Sequence, residues 1–173
     1  MSDVTLSQPS TDECVAERRS MTAILGVEDA EAAVAALHAS GFRPSTVSLL
    51  ELLPLVELAW ADGNISPRER RILVSAAARR PTVRGSAHTQ LTEWLSERPS
   101  DEIFKTSRRA LRDLLTRVDE RVAERTRSTL LAESTLVLSD EGGLLGDETP
   151  LTADQRRLLS DLAADLGLDP QAC

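Results

Sequence analysis

The chain has 173 residues, with 20 basic against 28 acidic side chains and a net charge of −8. It holds 27 Leu and 21 Ala but no Tyr and only two Phe and two Trp, a balance that favours helices and all but excludes an all-β fold. An apolar content of 41 % excludes a disordered chain, and the acidic balance disfavours broad affinity for nucleic acid.

Composition removes several chemistries. Lys105 is the one lysine, and no Gly-rich phosphate loop surrounds it. Cys14 and Cys173 lie near opposite ends, which gives neither a disulfide framework nor a metal knuckle, so a reduced, cytoplasmic setting is expected. His38 and His88 stand apart, without ligand spacing. No apolar segment of signal-peptide type follows Met1. The most apolar stretch, Val47 to Ala61, contains Glu51, Pro54 and Glu57, and is too short and too charged to span a membrane.

Residues 1–10 read as a frayed tail, 11–44 as a helical extension and 45–173 as the main domain. Ser10 and Glu13 form a capping-box pattern that opens a helix toward Leu25. An Ala-rich helix follows over Glu28 to Ala39, stopped at Gly41. The next helix is expected from Thr46 to about Asp62, capped by Ser45 and apolar on nearly every face, with a kink or break at Pro54. Ser66-Pro67-Arg68-Glu69 is a strong helix start, with the run ending near Arg79. Further helices are expected from Ser86 to Ser96, from Pro99 onward, from Asp119 to Leu138 and from Thr152 to about Leu166. The fold class is all-α, a compact bundle of about seven helices.

Two of these helices match. Ile65–Ala78 reads ISPRERRILVSAAA and Leu151–Ala164 reads LTADQRRLLSDLAA. Both copies carry a capping box, Ser66 with Glu69 and Thr152 with Gln155, and both follow a helix and an acidic, Gly-containing loop. This points to an internal duplication of a helix–loop–helix unit around long central helices.

The first loop looks like half of an EF-hand, but ligand positions 1 and 3 would be Leu58 and Trp60, which cannot bind calcium. A different metal arrangement stays open. Asp62 and Asn64 of the first loop could meet Asp140, Glu141, Asp147 and Glu148 of the second if the copies pack side by side. Such oxygen ligands suit Ca2+ or Mg2+. The plainer reading is that acids sit in solvated loops and before helix N-termini, where the macrodipole favours them.

Charge is uneven. Arg68 to Arg84 carries six Arg and one Glu, and residues 140 to 173 carry eight acids and two Arg. The basic stretch either binds phosphate or pairs within the fold; it lacks the aromatics of a stacking platform. Glu51 and Glu57 lie in the apolar helix, where a carboxylate needs a partner, and Arg70 or Arg71 are candidates.

The stretch LLPLVELAWADGNISPRERRIL, Leu52 to Leu73, resembles the core motif of the tellurite-resistance TerB-like family, which also occurs at the N-terminus of a DnaJ-like membrane co-chaperone. Asp62, Gly63, Ser66 and Glu69 match its pattern, and Gly142 to Leu168 looks like its second helix–loop–helix. The resemblance spans roughly Val47 to Leu168. It implies an all-α bundle that works by binding in bacterial envelope or chemical-stress systems, with acidic loops suspected of holding metal and no known catalysis. Asp62 carries over as the acid of the first loop, and Asp147 and Glu148 as those of the second. No His-Pro-Asp tripeptide occurs, so the chain is not itself a J-domain protein. The expected function is a non-enzymatic module for stress response or protein interaction, with a protein partner, a membrane-associated one among the candidates. The alternatives are a carboxylate enzyme using Glu51 or Glu57 as general base, and a weak nucleic-acid binder through Arg68–Arg84.

Overall fold

The computed structural model describes residues 11–27, 29–139 and 152–167. Eight α-helices and no strand occur among them, against the seven or so expected. They are α1 (Thr11–Leu25), α2 (Glu31–Ala39), α3 (Leu53–Ala59), α4 (Pro67–Ala78), α5 (Ser86–Trp94), α6 (Asp101–Leu115), α7 (Glu120–Leu138) and α8 (Ala153–Leu166), with a 3-10 turn at Val47–Leu49. Among the described residues, no helix is long and apolar enough to cross a membrane. The proposed box at Ser10 lies outside the described residues.

The expected continuous helix from Thr46 is broken. Pro54 has no N–H to donate, and its ring would strike the carbonyl four residues back, so a helix cannot run through it. It sits instead in the first turn of α3, where the missing donor costs nothing. Ser45 does not cap the element that follows: Thr46 flanks the 3-10 turn, without a side-chain cap, and its Oγ1 accepts the Arg43 N–H at 3.0 Å. The α2 helix also starts later than Glu28, because Asp29 takes a positive φ of 60°.

Short as it is, α3 is the hub. Leu53, Leu55, Val56, Leu58 and Ala59 are all at most 1 % exposed. The helix packs on α4, α6, α7 and α8, while α2 lies on α1 and α6, and α5 on the 3-10 turn. Each fully buried Leu contributes about 2 kcal/mol of transfer free energy. Met21, Val34 and Leu37 of the first two helices join the same apolar core. Aromatic contacts fasten the end of α3: Trp60 Nε1 donates to the Trp94 carbonyl at 2.9 Å, and Phe42 meets Trp94 edge to face at 5.9 Å.

The duplication is visible in the packing. The α3 and α7 helices touch at the centre, and each second helix, α4 or α8, lies against both of them. Both expected capping boxes form. Ser66 Oγ accepts the Glu69 N–H at 3.2 Å, and the Glu69 carboxylate accepts the Ser66 N–H at 2.7 Å. Thr152 and Gln155 repeat this at 3.1 and 3.0 Å. Ser100 and Asp119 cap α6 and α7, and Gly167 ends α8 in the left-handed conformation.

Candidate functional site at the helix–loop junctions

The two copies meet at α3 and α7, which brings described ends of both to one side. The end of the first loop, the N-termini of α4 and α8 and the C-terminal end of α7 line one open cleft of about 430 Å³. Asp62, Ser66, Arg68, Arg71, Ser139 and Thr152 are among its walls. Ser139 and Thr152 bracket the segment that carries Asp140, Glu141, Asp147 and Glu148, four residues that lie outside the described ones. Of the candidate ligands within the described residues, Asp62 borders the cleft, and its Oδ1 accepts the Asn64 N–H at 3.1 Å. Asn64 is exposed beside it. No group of three or more His, Cys, Asp or Glu able to hold a metal occurs among the described residues.

The described walls of the cleft carry both signs, Asp62 and Glu69 against Arg68 and Arg71. Two helix N-termini open onto it, each with a partial positive charge. Arg68 adds its guanidinium, which donates to the Ser139 carbonyl and, at 3.5 Å, to that of Leu136. Arg71 lies one turn further along α4 and is exposed, with no carboxylate in ion-pair range among the described residues. Both helix starts are closed by their boxes, so the remaining charge on the described walls is that of the arginines and of Asp62.

The interior acids are paired differently from expectation. Glu51 is not buried; its side chain is half exposed, because the break before Pro54 leaves it in a turn outside α3. Its partner is Arg80, at 3.4 Å. Glu57 is partly buried within α3, but it faces Arg108 of α6 at 3.6 Å, and neither Arg70 nor Arg71. Arg108 also reaches Asp165 of α8 at 3.7 Å, and Arg112 binds the same carboxylate at 3.0 Å. Burial raises the Glu57 pKa, and the nearby charge of Arg108 only partly offsets that. Arg70 instead donates to the Leu95 carbonyl.

Sequence reasoning missed the most buried acid. Glu133 of α7 is 4 % exposed and accepts from Arg79 at 2.9 Å and from Arg80 at 3.1 and 2.8 Å. Burial pushes its pKa up, but hydrogen bonds and charge from Arg80 and Arg79 outweigh burial and hold it below the ordinary carboxylate range. The signal was present: Ala123, Leu130 and Val137 recur every seven residues, and Glu133 falls inside that apolar stripe.

Compared with family models, curated proteins and solved structures, the chain matches none.

Proposed function

We propose that the chain is a non-enzymatic, TerB-like helical module that captures a partner protein in a bacterial stress response. The observation that carries this reading is the convergence of both helix–loop–helix copies on one open cleft. The candidate bases support it, because Glu51 and Glu57 each lie in ion-pair range of an arginine, Arg80 at 3.4 Å and Arg108 at 3.6 Å. A general base must reach a substrate proton with its own free oxygen, and a neighbouring guanidinium makes a carboxylate a weaker proton acceptor. The nucleic-acid reading weakens for a related reason: Arg79 and Arg80 of the basic stretch are engaged by Glu133. A cytoplasmic location follows from the same reading, as does a partner that can itself be membrane-associated.

The test is affinity capture from the native host, scored against an unrelated helical bundle of similar size and charge. The reading expects a specific protein enriched with the wild-type chain. Recovery of the same proteins with both baits would overturn it.

A divalent cation, Ca2+ or Mg2+, modulating the module is a second reading. Its support is that Asp62 shares the cleft with Ser139 and Thr152, the two ends of the acidic second loop. Arg68 and Arg71 on the same walls work against it. Isothermal titration of the metal-stripped chain decides: binding that vanishes in Asp62→Ala plus Asp147→Ala would support the cation, and absent heat would remove it.

A further inference from the structure

Along the outer face of α4 runs a second, shallower groove of about 360 Å³, bounded on its far side by α7. Arg68, Arg71, Ile72, Ser75 and Arg79 line it from α4, and Leu136 from α7. These α4 positions follow helical spacing, so they form one continuous stripe. From Arg68 to Arg79 the stripe is about 16 Å long, or three helical turns.

The stripe joins charge to exposed apolar surface. Leu136, in the groove, is 51 % exposed, and Val74, 41 % exposed, lies on the adjoining face of α4 outside the groove's lining. Large apolar side chains this open are few among the described residues, so their flanking by arginines stands out. Arg79 shares Glu133 with Arg80, yet remains half exposed. Arg68 donates to backbone carbonyls and has no carboxylate partner among the described residues. Arg71 makes no ion pair or side-chain hydrogen bond among the described residues. Glu133 thus answers Arg79 and Arg80 at one end of the stripe, and no carboxylate among the described residues pairs with Arg68 or Arg71 at the other.

We infer that this groove seats an acidic, leucine-bearing helix of a partner protein, with its carboxylates on Arg68 and Arg71 and its apolar side chains on Ile72 and Leu136. Charge complementarity selects the occupant. A concave stripe three turns long fits a helix with acids at three- and four-residue spacing, the helix-in-groove mode of recognition. A flat anionic membrane or a long duplex would also meet the rest of a chain whose net charge is −8. A short acidic helix meets only the local surface, because charges more than about 10 Å away are screened. The stripe has no aromatic side chain on which a base could stack. The inference rests on the partner-capture reading but not on the cation.

The experiment titrates the full chain with a fluorescent three-turn peptide carrying Glu and Leu at these spacings. A peptide with Lys for every Glu, phosphatidylglycerol vesicles, a short DNA duplex and the unlabelled chain itself run alongside. The comparison variant is Arg71→Glu plus Leu136→Ser; both side chains are exposed, and thermal melts verify that it folds. The groove predicts salt-sensitive binding of the Glu peptide, with affinity about tenfold weaker in the variant and no binding of the Lys peptide. Equal binding by the variant overturns it, as does preference for the Lys peptide, the vesicles, the duplex or a second copy. A variant that still captures the wild-type partner from the host overturns this groove and leaves partner capture standing.

Discussion

The Glu133 carboxylate on α7 closes on the Arg80 guanidinium at the end of α4 through contacts of 3.1 and 2.8 Å, and Arg79 adds a third at 2.9 Å. This bond joins the second helix of one copy to the first helix of the other. It also divides the basic stretch: Arg79 and Arg80 at its C-terminal end are tied to Glu133, while Arg68 and Arg71 at the other end have no carboxylate partner among the described residues.

Glu133→Gln should destabilise the fold by about 3 kcal/mol, because two arginines lose a buried counter-charge. In a chain of this length that lowers the melting temperature by about 9 °C. The pH dependence has a definite sign. The folded pKa of Glu133 lies below its unfolded value. Its contribution is therefore complete above the unfolded carboxyl pKa of about 4.3 and disappears as pH falls through the lowered folded value. Melts from pH 6 down to pH 3 should bring the two proteins together at the acid end. A gap that stays constant or widens on acidification would contradict the ion pair.

Glu57 should behave in the opposite sense. Burial raises its folded pKa above the unfolded value. Its favourable contribution is complete below about pH 4.3 and is lost as pH rises through the raised value. The stability of the wild type relative to Glu57→Gln should therefore decline as pH rises from 4 to 7. Chemical denaturation of both proteins across that range measures it, and a wild-type advantage that grows with pH would contradict the assignment.

The two capping boxes should be equivalent if the copies are. Ser66→Ala and Thr152→Ala each remove a hydroxyl that accepts the N–H three residues on. Each should cost about 1 kcal/mol. Urea denaturation of the two variants provides the comparison, and a negligible loss at either site would show that its helix start is fixed by other contacts.

Gly63 separates the contribution of backbone shape from that of contacts. Its φ is +86°, and a Cβ built there meets nothing within 4 Å. Gly63→Ala should therefore cost about 1 kcal/mol from backbone strain alone, and Gly63→Asn less, because Asn tolerates the left-handed region. Equal losses in denaturant melts would show that strain is not the cause.

Much of the architecture was legible in the sequence because it is written in local chemistry. Ser66 with Glu69, Thr152 with Gln155, Ser100, Asp119 and Gly167 mark helix ends through bonds that span at most a few residues, and each boundary lies where those residues put it. Ion pairing was less legible, since it depends on which faces meet. Glu57 finds Arg108 fifty-one positions away on α6, and Glu133 finds Arg79 and Arg80 from the opposite direction along the chain. Nothing in the spacing of Arg70 or Arg71 distinguished them from Arg80. Pro54 shows the middle case: the break was foreseeable, but its effect on Glu51, turned out to solvent, depended on where the new helix began. The candidate site was readable only as a pair of loops. That Arg68 and Arg71 would share the cleft with Asp62 required the packing of α4 on α7.

The central claim is that the chain acts by holding a partner on the α4–α7 face. A photo-crosslinking side chain placed at position 136, and in a separate protein at position 122, tests it most directly in the native host. Val122 is as exposed as Leu136 but lies near Ile24 at the edge of another cleft, so it serves as the control. The account predicts one crosslinked protein at position 136, displaced by excess of the Glu-and-Leu peptide, and none at position 122. Crosslinks at 122 alone, or at 136 without displacement by the peptide, would contradict it.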